Sequence, residues 1–140
     1  MDIELGIVQI NVTNLAHAWD FYINTLEFAG EQTLGENHPF TILAVPTRIL
    51  VYPVQSVSER AYPEGTGVLL VFYTPDIVRT VEQWRSRGVR LIPARWARGP
   101  HQLADTPFGP FIAFSDPFGN VHELLQPHSR TSTNDSSIRA

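Results

Sequence analysis

Cysteine and lysine are both missing from these 140 residues, and all ten basic side chains are arginines. Without cysteine there is no disulfide, no thiolate nucleophile and no cysteine-zinc site; without lysine there is no Schiff base. Long apolar runs are missing too. Nothing approaches the roughly 20 consecutive apolar residues that a membrane-spanning helix needs, so no membrane partner is expected. The opening stretch MDIELGIVQI has no basic region of the secretory kind, which makes a cytoplasmic location the default expectation. Positive charge is in short supply as well. A net charge of −4 and a pI near 5.6 remove the broad field on which nucleic-acid binding depends, so no nucleic-acid partner is expected. No nucleophile elbow, phosphate loop or dinucleotide fingerprint occurs anywhere in the chain.

What is present suits one globular domain: 43% of the residues are hydrophobic and 17% charged. From Ile7 to Val12 the chain alternates, with Val8, Ile10 and Val12 on one strand face and Ile7, Gln9 and Asn11 on the other. Asn14 has the chemistry of a helix N-cap, and Leu15, Trp19, Tyr22 and Leu26 follow at helical spacing. The runs EFAGEQTL, FTILAVP and RILVYPV then predict three strands. A polar, turn-rich stretch at 54–66 reads as a linker. Beyond it the order returns: GVLLVFYT as a strand, Asp76 as an N-cap, IVRTVEQWRSR as a helix, Gly88 at its C-terminus, and VRLIPARW, PFIAFS and NVHELLQ as strands.

The repetition has a fixed offset. Asn14, Leu15, Trp19 and Tyr22 correspond to Asp76, Ile77, Val81 and Trp84, each pair 62 residues apart, which points to an internal duplication. The expected organisation is one domain over residues 1–127, made of two βαβββ modules at 3–53 and 67–127, with a disordered tail at 128–140.

The stretch DPFGNVHELLQP sets the functional question. Asp116 can hydrogen-bond the backbone that follows it, Pro117 presets φ, and Gly119 and Asn120 tolerate positive φ, so a tight turn is expected. Glu123 then stands on a strand among apolar neighbours, sharing a face with Val121 and Leu125 while His122, Leu124 and Gln126 take the other. A half-buried carboxylate needs a metal, a cation or a hydrogen-bond donor, or else it takes up a proton.

The doubled βαβββ order, the opening VTNLAHAWDFYINTLEF and the ending DPFGNVHELLQP together resemble the vicinal oxygen chelate superfamily. This group contains glyoxalase I, bleomycin-resistance proteins, fosfomycin-resistance enzymes and extradiol dioxygenases. The resemblance implies an α+β fold in which two βαβββ modules form a curved, open sheet around a cavity, with the helices outside. It also implies that the face carrying Glu123 points into that cavity and that Glu123 corresponds to a metal ligand of the metal-dependent members. Their other ligands come from the opening strands, and the family's spacing puts those positions at Ile7 and Leu69; aligning Pro53 with Pro127 puts a fourth at Ile49. All three are hydrocarbon, and a single carboxylate does not make a selective divalent site. No cofactor is therefore expected. A divalent metal remains the alternative, by a shifted register that brings in Gln9 or by His38 or His101 reaching in from loops.

The favoured reading is a glyoxalase/bleomycin-resistance-like protein that binds a small, partly aromatic molecule in the cavity without a metal. Its ligand-binding residues would be Gln9, Asn11, Phe40, Tyr73, Trp96, Phe108, Phe111 and Glu123. The aromatic residues have a second account as core packing, and Glu123 as a satisfied structural carboxylate. The alternative function is a lyase, isomerase or dioxygenase-type enzyme with Glu123 as metal ligand or general base, the only catalytic candidate. A third possibility is a partner-binding module whose own side chains fill the cavity. Arg85, Arg87, Arg90, Arg95 and Arg98 read as a solvated basic edge, with Arg95 or Arg98 as an anion clamp in the minority reading. A homodimer is expected, since proteins of this resemblance often complete their cavities across two chains.

Overall fold

A computed structural model describes residues 2–32, 35, 38–44, 46–57, 62–63 and 67–128. By its contacts the chain divides into two units, residues 1–61 with 116–120, and residues 62–115 with 121–140. Part of the expected linker and the expected tail from 129 onward lie outside the described residues.

In the first unit the alternation of Ile7–Val12 forms β1. Asn14 then caps helix α1, Leu15–Trp19, by accepting a 2.8 Å bond from the His17 amide. The helix continues through a wider π-helical segment, Asp20–Thr25, which ends with the Leu26 amide bonded to the Phe21 carbonyl. Three strands follow: β2 at Gly30–Glu31, β3 at Phe40–Ala44 and β4 at Thr47–Pro53. They make an open four-stranded sheet in the order β1-β4-β3-β2, with β1 parallel to β4 and the other pairs antiparallel. Leu15, Ala18, Phe21, Tyr22 and Leu26 turn inward from the helical stretch, and Trp19 meets Phe40 edge-on at 5.0 Å.

The second unit repeats this plan with β5 at Val71–Tyr73, α2 at Ile77–Ser86, β6 at Arg90–Ile92, β7 at Phe111–Ser115 and β8 at Val121–Leu125. Its open sheet has the order β5-β8-β7-β6, again with the first pair parallel. Asp76 caps α2 as Asn14 caps α1, accepting from the Arg79 amide at 3.1 Å, and Gln126 Oε1 accepts from the Ile77 amide at 2.9 Å. Ile77, Val81 and Trp84 are the buried stripe of α2, and Trp84 packs on Phe114 at 4.8 Å. The chain is thus α+β, two βαβββ units each with a helix on one face of an open mixed sheet.

Some strands are shorter than their composition predicts. VRLIPARW yields only Arg90–Ile92, because Pro93 has no amide to donate to the ladder and the chain turns at 95–96. Among the described residues of EFAGEQTL, the strand is Gly30–Glu31.

Candidate functional site

Register assigns every strand residue to a face. In the second sheet Val71 pairs with Glu123 and Glu123 with Ala113, which in turn faces Ile92; one row further along, Tyr73 pairs with Leu125 and Leu125 with Phe111. Directly paired residues project to the same side. These side chains therefore share the face opposite α2, while Phe72, His122, Leu124, Ile112 and Phe114 share the face on which Trp84 packs. The alternation expected of β8 is present.

On the open face Glu123 is half-buried, and its Oε2 accepts a 2.7 Å hydrogen bond from the Tyr62 hydroxyl. Burial first, then the hydrogen bond to Glu123 and its charge, hold the Tyr62 phenol well above the ordinary tyrosine value, so it remains a donor. Tyr62 is the residue that sequence reasoning missed. It is the only aromatic in the 54–66 stretch, and no local pattern ties it to a strand 61 positions away. Around this pair lie Tyr73, 64% exposed, and Trp96, 57% exposed, the latter packed on buried Phe111 at 6.0 Å between ring centroids. Ala94, Ala104, Phe111 and Leu125 form the buried cluster beneath. Phe108, 74% exposed, sits in the turn bounded by Thr106 and Gly109 rather than on a strand.

In the first sheet Gln9 and Asn11 lie on the face away from α1, both exposed, with Gln9 Nε2 donating to Asn11 Oδ1 at 2.9 Å. Ile7, 58% exposed, shares that face. Two expectations change here. Phe40 is on the opposite face, 1% exposed and against Trp19, because its partner is Val51, a residue of the helix-side core. Ile49 is also helix-side and buried, since it pairs with Val8. The counterpart of Glu123 is Leu50, which pairs with Gln9 as Glu123 pairs with Val71. Aligning Pro53 with Pro127 slips by one residue because Pro53 closes β4 within its ladder whereas Pro127 lies beyond the end of β8, and in a strand one residue reverses the face.

The turn has the predicted chemistry. Asp116 Oδ1 accepts from the amides of Phe118 at 2.9 Å and Asn120 at 2.8 Å, and Gly119 takes φ +89°. Its Oδ2 accepts from the buried Tyr22 hydroxyl at 2.7 Å and from Asn120 Nδ2 at 2.8 Å, and Asn120 Nδ2 also donates to the Asn11 carbonyl at 2.9 Å. Burial pushes the Asp116 carboxyl above its ordinary value, against the opposing pull of the hydrogen bonds from Asn120, Tyr22 and the backbone. Burial also raises the Tyr22 phenol, with the Asp116 charge and hydrogen bond adding to it.

Among the described residues no three of His, Asp and Glu come together closely enough to hold an ion. The positions expected to supply ligands alongside Glu123 carry the hydrocarbon of Ile7 and Leu69, and the register counterpart Leu50 adds none. His38 is exposed and His101 half-buried in a left-handed conformation at φ +60°. The arginines at 85, 87, 90, 95 and 98 are all exposed, and Arg98 Nη1 turns onto the carbonyls of Arg95 and Ala97 at 3.3 Å.

The family model described as Glyoxalase/Bleomycin resistance protein/Dioxygenase superfamily matches residues 4–124. The chain belongs to this superfamily. Among solved structures of the glyoxalase/bleomycin-resistance fold, it is similar to TnmS3, an antibiotic binding protein from Streptomyces sp. CB03234, with 24% identity over 91% of this chain and 98% of that one and a TM-score of 0.64. It is similar to FosX, a genomically encoded fosfomycin resistance protein from Listeria monocytogenes, at 18% identity over 90% and 94% of the chains, TM-score 0.67. A superfamily member from Sphaerobacter thermophilus DSM 20745 shares 25% identity over 89% and 97%, TM-score 0.63. No curated protein sequence matches the chain. No helix among the described residues of this superfamily member is long and apolar enough to cross a membrane.

Proposed function

We propose that this glyoxalase/bleomycin-resistance-like protein binds a small, partly aromatic molecule without a metal, on the sheet face that carries Glu123. The observation that carries the reading is the hydrogen-bonded Tyr62–Glu123 pair on the same side as two largely uncovered rings, Tyr73 and Trp96. Small-molecule sites are mostly apolar with a few fixed polar groups, and this face has that composition. The hydrocarbon at Leu69, where the family resemblance expects a ligand in the same unit as Glu123, supports a metal-free reading. An antibiotic binding protein, TnmS3, shares this fold.

A thermal-shift screen with planar aromatic compounds, including polycyclic antibiotics, tests the reading. A ligand at 100 times its Kd stabilises the fold by about 2.7 kcal/mol, which is readily seen. Absence of any stabilisation across the screen would count against binding. Elemental analysis of the purified protein tests the metal-free half: a stoichiometric transition metal that is lost in Glu123→Gln would overturn it.

A further inference from the structure

We infer that Tyr62 and Glu123 act as one recognition pair, selecting among flat aromatic molecules those that carry a protonated amine on a short tether from the ring. The inference rests on the proposed binding role of this face and specifies its ligand class. It follows from the two rows of side chains. The aromatic row runs Tyr73, Leu125, Phe111, with Trp96 packed on Phe111. The neighbouring row runs Val71, Glu123, Ala113, Ile92. Rows on one face are two residues apart along each strand, about 7 Å. A ring lying against the exposed ring of Tyr73, one strand and one row from Glu123, with the exposed ring of Trp96 on the same side, therefore has the Glu123 carboxylate within reach of a chain of two or three atoms.

The chemistry of the pair favours an ammonium. The Tyr62 hydroxyl occupies one site on Oε2, leaving Oε1 and the phenol oxygen itself as neighbouring acceptors. An ammonium group has three donors and satisfies both with charge assistance; a hydroxyl has one donor, and a carboxylate has none and is repelled. Arg90 is the charged side chain on the same face of β6. It lies two strands and one row from Glu123, roughly 12 Å between backbones by sheet spacing.

Isothermal titration calorimetry with naphthylethylammonium, naphthylethanol and naphthylacetate, at matched ionic strength and pH 7, decides it. In the wild type the ammonium should bind about tenfold more tightly than the alcohol, the difference between a charge-assisted and a neutral hydrogen bond, and the acetate more weakly than either. Glu123→Gln should bring the ammonium to within about threefold of the alcohol, and Tyr62→Phe should weaken the ammonium by about threefold. Equal binding of ammonium and alcohol by the wild type would overturn the inference while leaving the aromatic face as the binding site. That comparison needs no variant to fold. An ammonium preference that survives in folded Glu123→Gln, or a gain in ammonium affinity in Tyr62→Phe, would also overturn it. No binding by any of the three probes would remove the binding reading itself.

Discussion

His122 makes a test of the second unit's core that needs only a change of pH. It is 3% exposed, on the α2 side of the sheet, edge-on to Phe72 at 5.5 Å and 5.3 Å from Phe114. Burial pulls its pKa from 6.5 to about 4. The folded state thus keeps the imidazole neutral where the unfolded chain binds a proton. Stability is fully present above pH 6.5, falls as the pH drops through that value, and stops falling near pH 4, where both states are protonated. At about 1.4 kcal/mol per pH unit the window amounts to about 3 kcal/mol. Asp116, with its raised carboxyl, acts in the opposite sense: it gains stability as the pH falls toward the ordinary aspartate value. Wild type should therefore be compared with His122→Gln, which loses the histidine contribution and keeps that of Asp116. Urea unfolding at intervals from pH 7.5 to 4 would give the two slopes. The wild type should lose about 3 kcal/mol more than the variant over the window, whatever the packing cost of Gln at pH 7. Parallel slopes would refute the buried neutral histidine and with it the packing assigned to β8.

Tyr22→Phe removes a hydroxyl donor from the Asp116 carboxylate in a buried setting and should cost about 1–3 kcal/mol in urea unfolding. A loss below about 0.5 kcal/mol would mean that the bond is not formed in solution. Gly109→Ala should cost about 3 kcal/mol or more, because φ is +139° and a Cβ would land on the Gln126 carbonyl oxygen. Gly88→Ala, at φ +81° with open space around it, should cost only about 1–2 kcal/mol. Equal melting temperatures for these two variants would show that Gly109 is not held against the end of β8. Glu123→Gln should leave stability within about 2 kcal/mol of wild type, since the amide still accepts from Tyr62; thermal denaturation checks this before any binding experiment is read.

Much of the fold is written locally. Asn14 and Asp76 are three residues from the amides they cap, the stripe of Ile77, Val81 and Trp84 repeats within a few turns, and the Asp116 carboxylate accepts from the amides at positions 118 and 120. Such features depend on backbone geometry over at most a handful of residues, so residue type and spacing are enough to read them.

Tertiary structure decided what depends on register and on loops. Phe40 and Ile49 face the helix side because β3 and β4 pair as they do, and composition alone does not distinguish that side from the other in a strand apolar on both. The register of the ladders, not the position of the prolines, makes Leu50 the counterpart of Glu123. The charge at Glu123 finds its donor in Tyr62, from a stretch whose composition reads only as linker. A hydrogen bond between residues far apart in sequence leaves no periodic trace, because its geometry exists only once the strands on either side have closed their ladder.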